Sequence, residues 1–123
     1  MSIEVIRHDV IRLGPSIDSK IFEEFMRSEL MPFFTAVHGQ NNRVNYAVLE
    51  QQALLRTSGD ERSYLWFTSW SGEAKRLKGR PFEGARVVGG ADTRPVLAKL
   101  GQFGRRRFSG LWQVIHTDEG RES

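Results

Sequence analysis

Residues 3–13, IEVIRHDVIRL, mix β-branched and charged residues at roughly alternating positions. Successive side chains of an extended chain point to opposite faces, so this period predicts a first strand, ended by Gly14-Pro15. The period then changes. Phe22, Phe25, Met26, Leu30, Phe33 and Val37 recur at spacings of three and four, the stripe of a helix with one buried face, and Glu23, Glu24, Arg27 and Glu29 fill much of the rest. Asp18 or Ser19 can cap it, Pro32 predicts a kink, and His38-Gly39-Gln40-Asn41-Asn42 closes it in a turn.

Arg43 to Thr57 predicts a long second strand whose apolar positions change phase, Val44, Tyr46 and Val48 giving way to Leu49, Gln51, Ala53 and Leu55. Such a change predicts a bulge near Val48 to Glu50. Ser58-Gly59-Asp60-Glu61 is a hairpin connection, and SYLWFTSWSG, residues 63–72, is the third strand. EAKRLKG follows as a short helical piece, and residues 79–92, rich in glycine, read mostly as loop. Asp92 can cap a second short helix with Pro95 in its first turn and Val96, Leu97 and Leu100 on its apolar side, ended by Gly101 and Gly104. Arg107 to Thr117 is the fourth strand.

The order β-α-β-β-α-β predicts an α+β fold: a ferredoxin-like split β-α-β unit, with a four-stranded antiparallel sheet and helices on one face. The third strand is unusual for such a sheet. Tyr64, Trp66 and Trp70 lie on one of its faces, yet Leu65 and Phe67 make the other apolar as well. Helices cover only one face, so a second cover is expected, and a second identical sheet packed by two-fold symmetry is the simplest one. A homodimer follows.

This order, the helix ending near a proline and the aromatic strand running into WSGEAKRL resemble the dimeric α/β-barrel group of ferredoxin-like proteins, which includes small monooxygenases. The resemblance covers most of residues 3–115. It implies a dimeric α/β barrel with a pocket, inside the barrel or between sheet and helices, of a kind that holds aromatic substrates or haem in such families.

The chain's length, 123 residues, fits one domain, taken here as residues 1–117 with 118–123 as a disordered tail. There is no cysteine, which excludes disulfides and thiolate chemistry. With no signal-like segment and no apolar run near the ~20 residues of a membrane span, a soluble cytoplasmic protein is the expectation. The formal net charge of +3 is unevenly spread: residues 75–107 hold ten basic residues against Glu83 and Asp92. A solvated surface, or complementarity to a partner subunit, accounts for such a segment without nucleic acid.

Candidate chemistry centres on the histidines. His8 and His116 lie on the first and fourth strands, the two central strands of the expected sheet, and either has a suitable intrinsic pKa for a catalytic base. Tyr46, Trp66, Trp70 and Trp112 are the expected pocket lining, although the same aromatics serve equally as core or dimer interface. His38 suits a helix C-terminus and is the one histidine on the helical side, where haem would need a ligand. The histidine spacing matches no metal motif, so neither metal nor cofactor is expected.

The expected function is a small-molecule enzyme or binder for an aromatic or polyketide-like compound, in catalytic form a cofactor-free monooxygenase. A non-catalytic structural or ligand-binding dimer is the first alternative. Single-stranded nucleic-acid binding is the second; it is disfavoured because the third strand begins Ser63-Tyr64-Leu65 and has no K/R-G-F/Y-G/A-F pattern.

Overall fold

Alternation along the first strand survives folding with full regularity. In the computed structural model, which describes residues 3–39, 47–74, 87–88, 91–92 and 94–118, Val5–Leu13 form β1 and every odd residue of it is buried. β2 (Ala47–Thr57), β3 (Asp60–Gly72) and β6 (Gly104–Gln113) complete an antiparallel sheet in the order β2-β3-β1-β6. β1 and β3 are therefore central, and β2 and β6 are the edges. Two short strands, β4 (Val87–Val88) and β5 (Ala91–Asp92), pair with each other where the sequence predicted loop. The result is an α+β domain compatible with the ferredoxin-like expectation.

Register fixes the two faces. Val5, Arg7, Asp9 and Ile11 of β1 lie opposite Trp70, Thr68, Trp66 and Tyr64 of β3, and this row faces the helices. Phe22 packs on Tyr64, Phe34 on Trp66 and His38 on Trp70, with ring centroids 4.9, 5.3 and 5.5 Å apart. Full burial of each apolar side chain in this layer stabilises the fold by about 1.5–3 kcal/mol. The other row, Ile6, His8 and Val10 opposite Ser69, Phe67 and Leu65, forms the second face. The bulge expected near Val48 to Glu50 is present: Leu49 pairs with Trp70 and Gln51 with Ser69, leaving Glu50 as the extra residue. It returns Gln52 and Leu54 to the helical face, which explains the change of phase in the sequence.

The first helix is interrupted, but by widening instead of a proline kink alone. α1 (Ser19–Phe25) is capped by Asp18, whose carboxylate accepts from Lys20 N–H at 2.9 Å. A π-helical turn, Met26–Leu30, follows, in which the Met31 N–H donates to the Met26 carbonyl, and α2 (Met31–His38) begins with Pro32 in its first turn. Pro32 has no N–H to give, and a first turn needs none there. The extra residue shifts the buried stripe, so Phe34 is the fully buried ring and Phe33, named in the sequence pattern, is only partly covered.

α3 (Arg94–Phe103) runs through Gly101, which the sequence pattern placed at its end, and Gly104 opens β6 directly. β6 thus starts and ends a few residues before the expected strand, and it lies at an edge. The helical piece expected beyond Ala74 and the tail beyond Asp118 lie outside the described residues. Among the described residues, no helix is long and apolar enough to cross a membrane.

Candidate functional site

On the face turned away from the helices, β1 and β6 bring one polar pair together within apolar surroundings. His8 lies opposite Gly110 on β6 and Phe67 on β3. A β-carbon at residue 110 would sit 2.4 Å from His8 Cε1 and 3.0 Å from Trp112 Nε1, so the bare glycine is what lets the imidazole lie across the strand. From there Trp112 Nε1–H donates to His8 Nδ1 at 2.7 Å, with the rings stacked at a centroid distance of 5.7 Å. An acceptor Nδ1 places the proton of the neutral ring on Nε2. Trp112 itself remains 57% exposed. Ile6, Val10, Leu65 and Phe67 surround the pair at intermediate exposure, and Leu55 on β2 is 53% exposed.

The other expected site residues separate. His116 is exposed and lies beyond the end of β6, six residues past Gly110, the partner of His8; the two histidines are not brought together. The expectation that the fourth strand is central is corrected by the sheet order, in which β3 takes that place. Tyr46 lies outside the described residues. Trp66 and Trp70 are fully buried in the core, and their N–H groups donate to Gln52 Oε1 at 3.1 Å and Thr68 Oγ1 at 2.9 Å. They hold the sheet to the helices and do not line the second face. His38 is buried between Phe34 and Trp70, and removal from water lowers its pKa to about 4.

A buried ion pair in the centre of the sheet has no counterpart among the expected site residues. Arg7 and Asp9 are 1% and 0% exposed on the helical face. The guanidinium forks onto both carboxylate oxygens at 2.9 and 3.0 Å, and Ser109 Oγ–H adds a third bond to Asp9 at 2.6 Å. Its trace in the sequence is R-x-D, opposite charges two apart on one face of a strand, a pattern that a solvated strand face shares. With its carboxylate held by three donors, this pair is fixed in place, which suits a structural anchor.

At the other side of the helical layer, a groove runs between the first helix and edge strand β2. Its wider part, of about 680 Å³, is lined by Glu23, Arg27, Met31, Thr35, Gln52 and Leu54. Tyr64 Oη–H donates to Glu23 at 2.5 Å and Arg56 pairs with the same carboxylate. The phenol's bond is the main cause that holds the Glu23 carboxyl below its usual pKa, while burial pushes the Tyr64 phenol up. Gln52 Nε2 donates to the Met31 carbonyl and to Thr35 Oγ1 at 2.7 and 2.9 Å. These groups are mutually satisfied and lock β2 to the π turn.

The second sheet face therefore carries a stacked histidine–tryptophan pair on an apolar floor. No set of three His, Asp or Glu residues capable of holding a metal ion occurs among the described residues. Compared with known protein families and with curated proteins, the chain matches none.

Proposed function

We propose that two copies of this chain pack by the second faces of their sheets, as a ferredoxin-like dimeric α/β barrel, and bind a small aromatic molecule in the chamber between them. The observation that carries the reading is the His8–Trp112 pair over bare Gly110, set among Ile6, Val10, Leu65 and Phe67. An indole and an imidazole lying side by side offer a flat π surface for stacking, and the apolar floor favours a ring over a charged group.

An oxygenase role rests on the same residues. In a cofactor-free reaction the chamber orients an electron-rich substrate, and His8 is the group on this face suited to accept its proton. The bond from Trp112 occupies Nδ1, so substrate must displace that bond before Nδ1 can act as base. Binding therefore precedes any proton transfer to His8.

Nucleic acid fits this face less well. Trp112 lies opposite Ile6, while among the described residues the cationic pair on the same face of β1 and β6, Arg12 and Arg105, lies six register positions away, about 20 Å along the strands. A single-stranded site alternates stacking rings with cations along one track.

Native mass spectrometry of protein purified from its own cells tests the reading. A dimer carrying a small mass that is lost on denaturation supports it. A monomer at micromolar concentration sinks it.

A further inference from the structure

At the far end of the same sheet face, a pocket of about 450 Å³ opens between the end of β1 and the start of β6. Arg12, Arg105 and Arg107 line it, with Leu13, Gly14, Pro15 and Gly104 as its walls. Three arginines lining one small opening call for a physical reason, because like charges repel and surfaces ordinarily intersperse the two signs.

The backbone is shaped to bring them there. β1 and β6 shift register between Val10 and Ile11, whose partners are Phe108 and Arg106, so Arg107 is the extra residue of a β-bulge. A bulge turns a side chain out of the regular pleat, and it is how Arg107 joins Arg105 and Arg12 at one opening. Gly104 allows β6 to begin there at all. A β-carbon on it would fall 2.2 Å from the Arg12 carbonyl oxygen.

Charge at the pocket is also unbalanced in an ordered way. Arg12 is held by Asp60 and by Ser63 Oγ at 3.0 Å. Asp60 in turn accepts from Ser63 Oγ–H and the Arg62 N–H, both at 2.9 Å. Arg62 donates to the carbonyls of Gly14 and Ile17, behind the Gly14-Pro15 turn. Two arginines are thus fixed by the fold, with a single carboxylate between them. Arg105 and Arg107 are exposed and have no acidic partner among the described residues.

We infer that this pocket binds the phosphate group of a small molecule. Guanidinium forks match the oxygens of a tetrahedral oxyanion, the fixed Arg12 supplies a preset contact, and Arg105 and Arg107 complete the site when the anion arrives. A polynucleotide is the poorer occupant. Inward from Arg12 the same face of β1 presents Val10, His8 and Ile6, so no row of cations continues along it. The inference does not rest on the chamber proposed above, since the pocket lies within one copy of the chain.

Isothermal titration with inorganic phosphate at low ionic strength tests it on the full chain, with circular dichroism confirming that each variant is folded. Saturable binding is expected, weakened about tenfold by Arg105→Gln and again by Arg107→Gln. Arg27→Gln serves as the control, because Arg27 is exposed, paired with Glu24 and remote from the pocket in sequence. Binding unchanged in that control, with the Arg105→Lys variant intermediate, supports a forked site. Absent saturation, or equal weakening by all the glutamine variants, overturns it as diffuse attraction. Tighter binding of oligothymidylate, growing with its length, overturns the small-molecule assignment. None of these outcomes depends on whether the protein is a dimer.

Discussion

The imidazole of His8 occupies the space that a side chain on Gly110 would need, and it is this vacancy that allows His8 Nδ1 to accept from Trp112. The polar pair of the second sheet face therefore depends on a residue with no side chain. Gly110→Ala is expected to push the imidazole aside, break the bond to Trp112 and leave the indole freer in solvent. Trp66 and Trp70 are buried, so a red shift in tryptophan emission reports mainly on Trp112. The stability loss should stay below about 1 kcal/mol, because the imidazole is only partly buried and can swing away. Unchanged emission would contradict the geometry.

A charge placed at the centre of the same face tests the proposed dimer. Phe67→Lys puts an ammonium where two apolar sheets would meet, opposite His8. Dimer dissociation should rise by at least about a hundredfold, as burying an unpaired charge predicts, while the monomer keeps its secondary structure. Sedimentation at graded concentrations measures it; a dimer as tight as the wild type argues for a different interface.

The pair Arg7–Asp9 makes a sharper statement about stability. Asp9→Ala leaves a guanidinium buried beside the core without its counter-charge and should cost about 3–5 kcal/mol in urea unfolding. The double variant Arg7→Met, Asp9→Ala removes the stranded charge and should recover a large part of that loss. If the double variant is as unstable as the sum of the singles, the pair is not coupled as its geometry indicates.

His38 gives the fold a defined acid sensitivity. Its folded-state pKa of about 4 lies below the ordinary 6.5, so the unfolded chain binds the proton more readily. Stability from keeping this ring neutral is complete above about pH 6.5 and is lost progressively as pH falls towards 4, with a total of about 3 kcal/mol. Unfolding free energies at pH 7.5, 6 and 5 should fall more steeply for the wild type than for His38→Met. Parallel curves would assign the acid sensitivity to other groups.

How much of this was legible beforehand depended on whether one residue or a whole face carried the signal. The bulge at Glu50 was readable because it inverts the apolar phase of a long strand, and a register of period two cannot absorb that otherwise. The cap at Asp18 was readable from its side chain and place. The buried Arg7–Asp9 pair was not, since β1 carries charges on both faces, and composition alone assigns charges to solvent. The pairing of His8 with Trp112 depends on cross-strand register, which no local pattern encodes. His116 was misplaced for a related reason: β6 starts at Gly104, so the strand ends before reaching it.

The π turn at Met26–Leu30 absorbs one residue of slack between two fixed points. A helix whose two ends are pinned, at Asp18 by its cap and at Phe34 and His38 by their rings against the sheet, can take in one additional residue only by widening locally. The Met31-to-Met26 bond marks that widening. A chain shortened by one residue within this segment would close the turn back to regular α-helix with the rings on either side unmoved.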